Sequence, residues 1–307
     1  MCDATFAFGQ RGGHFMQYPS RREHHRLPPK LVRLLTSAQV SKIYHVTLGY
    51  QDSFLVTFQD RGGRDLIDAQ DLPAELDAFL YARGPQNQLL RHIPSIRVTL
   101  GPYNTSFYAA DLESCRWMNL PPRLLTALQS RIEGGAWIDK PRIVALGADS
   151  NFLLITEKHA AVRDLRNYKS LRQMLEFSKP EDRGIEGLRD VVLHAYRYEA
   201  FLALNRTGIV IFDGLPSVAM SAVERMKEAV KIDVGNAQMR RIDFDRRQTA
   251  SPRKIEAPRR PSLQHQATLK REWAERKDQV RKQTGGLRLS LSLSISARGV
   301  GRSLGLG

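Results

Sequence analysis

Leucines recur four residues apart in three short stretches, and each stretch opens on Leu-Pro: LPPKLVRLL from Leu27, LPAELDAFL from Leu72 and LPPRLLTAL from Leu120. The i, i+4, i+8 spacing puts these leucines on one face of a short helix, and a proline in the first turn gives up no intrahelical hydrogen bond. Upstream of the helices stands a second recurring phrase, FAFG ending at Gly9, VTLG at Gly49, VTLG at Gly101 and VALG at Gly147. Apolar and β-branched residues closed by glycine predict a strand running into a tight turn. Five to seven residues further on comes a phenylalanine in another strand-like run: Phe15, Phe54, Phe107 and Phe152. A third, more variable run such as CRWMN precedes the helix, so the unit is strand, strand, strand, short helix.

Two further copies are degenerate. After Gly147 and Phe152 the helix is due near residue 167, where NYKSLRQML keeps Leu171 and Leu175 while Asn167 and Tyr168 replace Leu-Pro. After that, VVLH ends at His194, Phe201 follows, and GLPSVAMSAV restores the start at Leu215-Pro216. Helix starts at 27, 72, 120, 167 and 215 are 45, 48, 47 and 48 residues apart, the regularity of a five-repeat protein. The repeats are placed at 4–40, 41–92, 93–138, 139–184 and 185–230. One such unit buries little alone, so neighbours must stack. The fold class expected is mainly β with short helices. A propeller-like ring is favoured and an open α+β solenoid is the alternative. A propeller blade usually has four strands, so the helix, or a strand within RGPQNQLLRHIPS, has to take the fourth place.

The pattern of V-x-L-G, an aromatic strand, and a strand ending in L-P-x-x-L-x-x-x-L resembles a repeat of uncharacterised fungal proteins in which tryptophan and glycine commonly precede Leu-Pro. It covers about residues 4–230, with Trp117 of CRWMNLPP and Gly214 of FDGLP keeping fragments of that pattern. The resemblance implies an interaction module and brings no catalytic residues with it.

Charge changes the picture only at the C-terminal end. The chain of 307 residues has a formal net charge of +15. Residues 231–307 hold 18 Lys/Arg against 7 Asp/Glu, whereas the first 230 hold 29 against 25. From Lys231 the apolar periodicity fades into RRQTASPRKIEAPRRPSLQHQ, a composition that predicts a basic, disordered tail over 231–307. Within it RRPSL makes Ser262 a candidate phosphosite, ATLKREWAERKDQVRKQ predicts a helix over 267–283 carrying Trp273, and LRLSLSLSIS alternates like a half-buried strand. Two cysteines, Cys2 and Cys115, exclude a disulfide framework, and the absence of an apolar leader or an 18-residue apolar run predicts an intracellular, cytoplasmic or nuclear protein.

Candidate chemistry is sparse. His24, His25, His159 and His194 have no metal-ligand spacing, and His194 occupies a position that is glycine elsewhere, as a turn substitution would. GQRGG at Gly9–Gly13 and QDRGGRD at Gly62–Gly63 lack the ending of a phosphate loop and suit hairpin turns. Asp60, Asp111 and Glu157 recur after the second strand, with Asn205 in the fifth copy, and read as turn residues more readily than as paired catalytic carboxylates. The regular phenylalanines read as core. Candidate contacts for a ligand or partner are therefore Tyr50 and Tyr103 in turns, Trp117, and Trp273 in the tail.

The function expected is a non-enzymatic protein-interaction scaffold with no cofactor and no metal, its basic tail open to an acidic partner. The alternatives are a carbohydrate-binding, lectin-like propeller using the aromatics, and salt-dependent nucleic-acid binding through the tail.

Overall fold

Five antiparallel meanders follow one another along the chain, each joined to a helix. The computed structural model describes residues 4–18, 20–177 and 184–249. The first repeat consists of β1 (Thr5–Phe8), β2 (His14–Tyr18), β3 (Arg21–His25) and α1 (Pro29–Thr36). The second has β4 (Val40–Leu48), β5 (Phe54–Asp60), β6 (Asp65–Gln70) and α2 (Ala74–Leu80), and the third β7 (Arg97–Leu100), β8 (Phe107–Ala110), β9 (Cys115–Met118) and α3 (Pro122–Gln129). A small hairpin, β10 (Ile132–Glu133) and β11 (Ala136–Trp137), leads into the fourth, β12 (Pro141–Leu146), β13 (Phe152–Thr156), β14 (Ala161–Asp164) and α4 (Lys169–Phe177). After the single turn α5 (Gly184–Gly187), the fifth has β15 (Leu188–Leu193), β16 (Phe201–Asn205), β17 (Val210–Asp213) and α6 (Ser217–Thr249).

Register repeats with the sequence. The residue before each turn pairs with the recurring phenylalanine: Leu48 with Phe54, Leu100 with Phe107, Leu146 with Phe152 and Leu193 with Phe201. In the first repeat Phe8 pairs with His14 and Phe15 sits one place on, opposite Ala7. All five phenylalanines are buried, as their periodicity predicts.

The hydrophobic interior is divided into five layers, each shared by two repeats. In the layer between the first and second repeats, Leu27, Leu31 and Leu35 of the α1 stretch meet Phe15 on one side and Val46, Phe54 and Val56 on the other. Full burial of each such leucine is worth about 2 kcal/mol, which a solitary repeat would forgo. Leu76 and Leu80 do the same between the second and third repeats, and Leu124 and Leu128 between the third and fourth. Leu171 and Leu175 serve between the fourth and fifth. The fifth layer joins the last repeat to the first: Ala219, Val223, Met226 and Val230 of α6 lie with Leu202 and Leu204 of β16 and with Phe6, Phe8, Met16 and Tyr18. The first strands touch in the same cyclic order, β1 on β4, β4 on β7, β7 on β12, β12 on β15 and β15 on β1. Each sheet is a separate three-stranded sheet with the order first, second, third, so no hydrogen-bonded barrel closes among the described residues.

The repeated VTLG phrase has a structural counterpart. Thr47 Oγ1 donates to the Val98 carbonyl oxygen at 2.7 Å, and Thr99 Oγ1 donates to the Val144 carbonyl oxygen at 2.8 Å, so the same threonine ties each first strand to the equivalent residue of the next. The glycine of the phrase is needed for space. A Cβ on Gly101 would lie 2.1 Å from Ser106 Oγ, and one on Gly49 2.3 Å from Ser53 Oγ.

Two expectations change. No fourth strand forms in the linker after α2, where the structure has an isolated bridge from Arg83 to Leu89 and a short 3-10 turn at Ile93–Ser95. Instead α2 packs on β9 and α3 on β14, each covering the outer strand of the following sheet. The boundary drawn at Lys231 falls inside α6, which runs on to Thr249, while its buried stripe Ala219, Ala222, Val223, Met226, Val230 lies at helical spacing in the part before that boundary. Arg225 to Glu23 at 2.6 Å and Ser20 Oγ to Asp233 at 3.1 Å fasten the same helix to the first repeat. Ser262, Trp273, the helix over 267–283 and the alternating LRLSLSLSIS lie outside the described residues, as does Cys2.

Candidate functional site

The turns between first and second strands carry Tyr50, Tyr103, Tyr196 and Tyr198, of which Tyr103 and Tyr198 are exposed. Each turn is closed by the same backbone bond, from Gly49 N–H to Ser53 O, Gly101 to Ser106, Gly147 to Asn151 and His194 to Ala200, all at 2.8–2.9 Å. The fifth is the longest of these loops and carries Tyr196 and Tyr198. Tyr50 and Tyr103 meet edge to face with centroids 5.2 Å apart, and Tyr103 meets Tyr196 in the same way at 5.9 Å. Tyr196 continues to His194, whose ring stacks on Phe8 at 5.6 Å with an interplanar angle of 6°. A chain of aromatics thus runs through the turns of the second, third and fifth repeats and into β1.

Polar contacts fix these loops. Asn104 Oδ1 accepts from Tyr50 N–H at 3.0 Å and its Nδ2 donates to Ser53 Oγ at 2.8 Å. Tyr198 Oη donates to Asp149 at 2.6 Å. Tyr103 holds φ at 56°, a left-handed conformation that costs a non-glycine residue on the order of 1 kcal/mol, and is 61% exposed. The Tyr196 hydroxyl lies beside the Tyr103 backbone without a properly directed hydrogen bond, and burial pushes its pKa up to about 12. His194 is 3% exposed, and burial, with Arg197 adding to it, pushes its pKa down to about 4. Its Nδ1 accepts from Tyr196 N–H at 3.2 Å, the role of a turn residue.

The sequence candidates divide accordingly. Tyr50 and Tyr103 come together. Trp117 does not join them: it is half-buried on β9 opposite Tyr108 and packs into the layer between the third and fourth repeats. Tyr196 and Tyr198 were missed, although two tyrosines in the one loop longer than its counterparts are a readable signal. Gly9–Gly13 and Gly62–Gly63 are strand-to-strand turns.

The acidic series is structural and its register needs correcting. Asp60 accepts from Arg64 N–H at 2.8 Å, Asp111 from Ser114 N–H at 2.6 Å and Asn205 from Ile209 N–H at 2.7 Å. The equivalent residue in the fourth repeat is Thr156, which accepts from Ala160 N–H at 3.0 Å, not Glu157. These side chains cap the turns after the second strands. Among the described residues no three His, Cys, Asp or Glu side chains cluster to hold a metal ion, and no helix is long and apolar enough to cross a membrane.

A cavity of about 330 Å³ lies inside the five first strands. His45 Nε2 sits there against Val98, 3.0 Å from its carbonyl oxygen, and burial pushes its pKa down to about 3.

No protein-family model matches the chain, and no curated protein matches it. Among the solved structures that match is the β-propeller domain of Cps50 (Swd1) from Myceliophteria thermophila, at 12% identity, covering 66% of this chain and 80% of that one. The TM-score is 0.27, too low for a shared fold to be drawn from it.

Proposed function

We propose that this chain is a non-enzymatic, intracellular protein-interaction scaffold, a five-bladed, propeller-like ring whose turn face binds a protein partner through its tyrosines. The cyclic order of first-strand contacts and the fifth hydrophobic layer support a ring over an open solenoid. The blades have three strands, and the helix of one repeat takes the outer place on the next.

The observation that carries the reading is the meeting of Tyr103 with Tyr196. They belong to the third and fifth repeats, so the loops converge, and they hold an exposed aromatic on a rigid frame at little conformational cost. Tyrosine in that setting supplies large apolar contact with one polar tip, the composition of an interface centre.

Affinity purification of the full chain from its native cells, alongside Tyr103→Ala, tests it. The expected result is a reproducible protein partner recovered by the wild type and lost by the variant, with circular dichroism unchanged. Equal recovery by both overturns the role of the tyrosines, and glycan-array binding that Tyr103→Ala abolishes replaces the scaffold with the lectin-like reading.

A further inference from the structure

Lys30 and Arg123 hold the same place in their repeats, each following the Pro-Pro pair that starts its helix. Lys30 Nζ lies 2.6 Å from Asp68 on β6 of the next repeat and 3.2 Å from the Ala69 carbonyl oxygen. Asp68 stands opposite Val56, two residues beyond Phe54. At the matching place on β14, opposite Leu154 and so two residues beyond Phe152, the residue is Val162. Arg123 therefore lacks the carboxylate that its counterpart has, and among the described residues it has no hydrogen-bond or ion-pair partner.

What surrounds Arg123 is more positive charge. It shares a shallow cavity of about 510 Å³ with Arg163, Asp164, Arg166 and Arg172, which come from β14, the segment after it and α4. Arg166 Nε donates to Asp164 at 3.0 Å. From beside the cavity, one oxygen of Glu176 accepts from Arg163 Nη2 at 3.4 Å and from Arg172 Nε at 3.0 Å. Each of these bonds uses one nitrogen of its guanidinium, and Arg166 and Arg172 are well exposed, so N–H donors remain for a further acceptor. Four arginines against Asp164 and Glu176 leave the cluster two positive charges in surplus.

We propose that this pocket, between the helix of the third repeat and the outer strand of the fourth, binds a phosphorylated serine of a partner peptide, with Arg123 as its principal ligand. A phosphoserine brings a charge of about −1.5 to −2 at neutral pH and three acceptor oxygens, which matches the surplus. Guanidinium forks fit phosphate geometry, and all four cations are arginines. Asp164 and Glu176 flank them and would repel the neighbouring phosphates of a nucleic-acid strand, a penalty that a single phosphoryl group avoids. The pocket is built by α3, β14 and α4 and not by the tyrosine loops, so Tyr103→Ala is expected to leave its binding unchanged.

Fluorescence anisotropy of the full chain tests this with a labelled peptide pool, degenerate except for one central phosphoserine. The same pool with serine or glutamate at that place, and a degenerate RNA oligonucleotide, are the comparisons. The phosphoserine pool is expected to bind saturably and about tenfold or more tighter than the serine pool. Arg123→Gln, at an exposed position with no ion pair among the described residues, should weaken that binding about tenfold, the loss of one charge-assisted contact, and Arg123→Lys should weaken it less. The basic C-terminal residues are the same in every variant, so binding that Arg123→Gln leaves unchanged belongs to another surface and overturns the proposal. Glutamate binding as tightly as phosphoserine overturns the phosphoryl ligand, and Arg123-dependent binding of the RNA alone replaces the peptide with a nucleic acid.

Discussion

The Tyr168 hydroxyl donates to the carbonyl oxygen of His194 at 2.8 Å and accepts from Ala148 N–H at the same distance, joining the turns of the fourth and fifth repeats through one buried oxygen. The residue that breaks the Leu-Pro pattern is therefore a tie between neighbours. Tyr168→Phe would leave a buried donor and a buried acceptor unsatisfied, at a cost of about 1–3 kcal/mol. The urea midpoint should fall with its slope unchanged, and an unaltered midpoint would show that water replaces both bonds.

Gly147 is explained by the same side chain. Its backbone is not left-handed, but an added Cβ would lie 2.7 Å from Tyr168 Oη and within 2.9 Å of two ring carbons. Gly147→Ala is expected to cost about 1–3 kcal/mol, and much less in a Tyr168→Leu background. A double-mutant cycle with no coupling would place the requirement in the backbone instead.

Thr47→Val and Thr99→Val each remove one bond between adjacent first strands, to Val98 O and to Val144 O. The fifth repeat already carries Val192 at this position, so the shape is tolerated and the loss is that of the bond, about 0.5–1.5 kcal/mol each, with Thr47 giving up in addition its 2.7 Å contact to His45 Nε2. The two bonds meet at consecutive β7 residues, Val98 and Thr99, so the double variant is expected to depart from additivity by about 0.5 kcal/mol or more, and strict additivity of the denaturation midpoints would show that the two interfaces respond independently.

What could be read from the sequence was whatever repeats locally. Leu27, Leu31 and Leu35 reveal a helix face because their spacing is helical, and the glycine-to-phenylalanine interval gives the hairpins because pairing there is between near neighbours. Two things lay beyond that kind of reading. Tyr103 and Tyr196 belong to non-adjacent repeats, and nothing in the period says that their loops converge. The continuation of α6 past Val230 is the second, because the buried stripe ends there and the basic residues after Lys231 carry no apolar period to mark it. Glu157 stands next to the true equivalent, Thr156, and shares the carboxylate of Asp60 and Asp111, whereas the turn needs only an oxygen that accepts a backbone N–H. Trp117 reads as a surface aromatic along its own strand, and it is half-buried because it lies opposite Tyr108 and packs into a layer that the fourth repeat completes.

Acid should weaken the contact between the fifth and first repeats through His194. Its imidazole stacks on Phe8, and burial holds its pKa at about 4, against about 6.5 in an unfolded chain. Above that unfolded value both states are neutral and the stabilising contribution is complete. As the pH falls toward 4 the unfolded chain takes up the proton first, so stability declines, and once the folded histidine is also protonated the loss grows no further. The full effect is on the order of 3 kcal/mol. His194→Asn keeps an acceptor for Tyr196 N–H but does not titrate. Urea denaturation at pH 7 and pH 4.5 should therefore show the wild type losing more stability than the variant. His45, with its pKa pushed down to about 3, titrates in both proteins and cancels in the comparison. Parallel pH profiles would mean that His194 is not buried against Phe8 in solution and that the fifth repeat does not close on the first in this way.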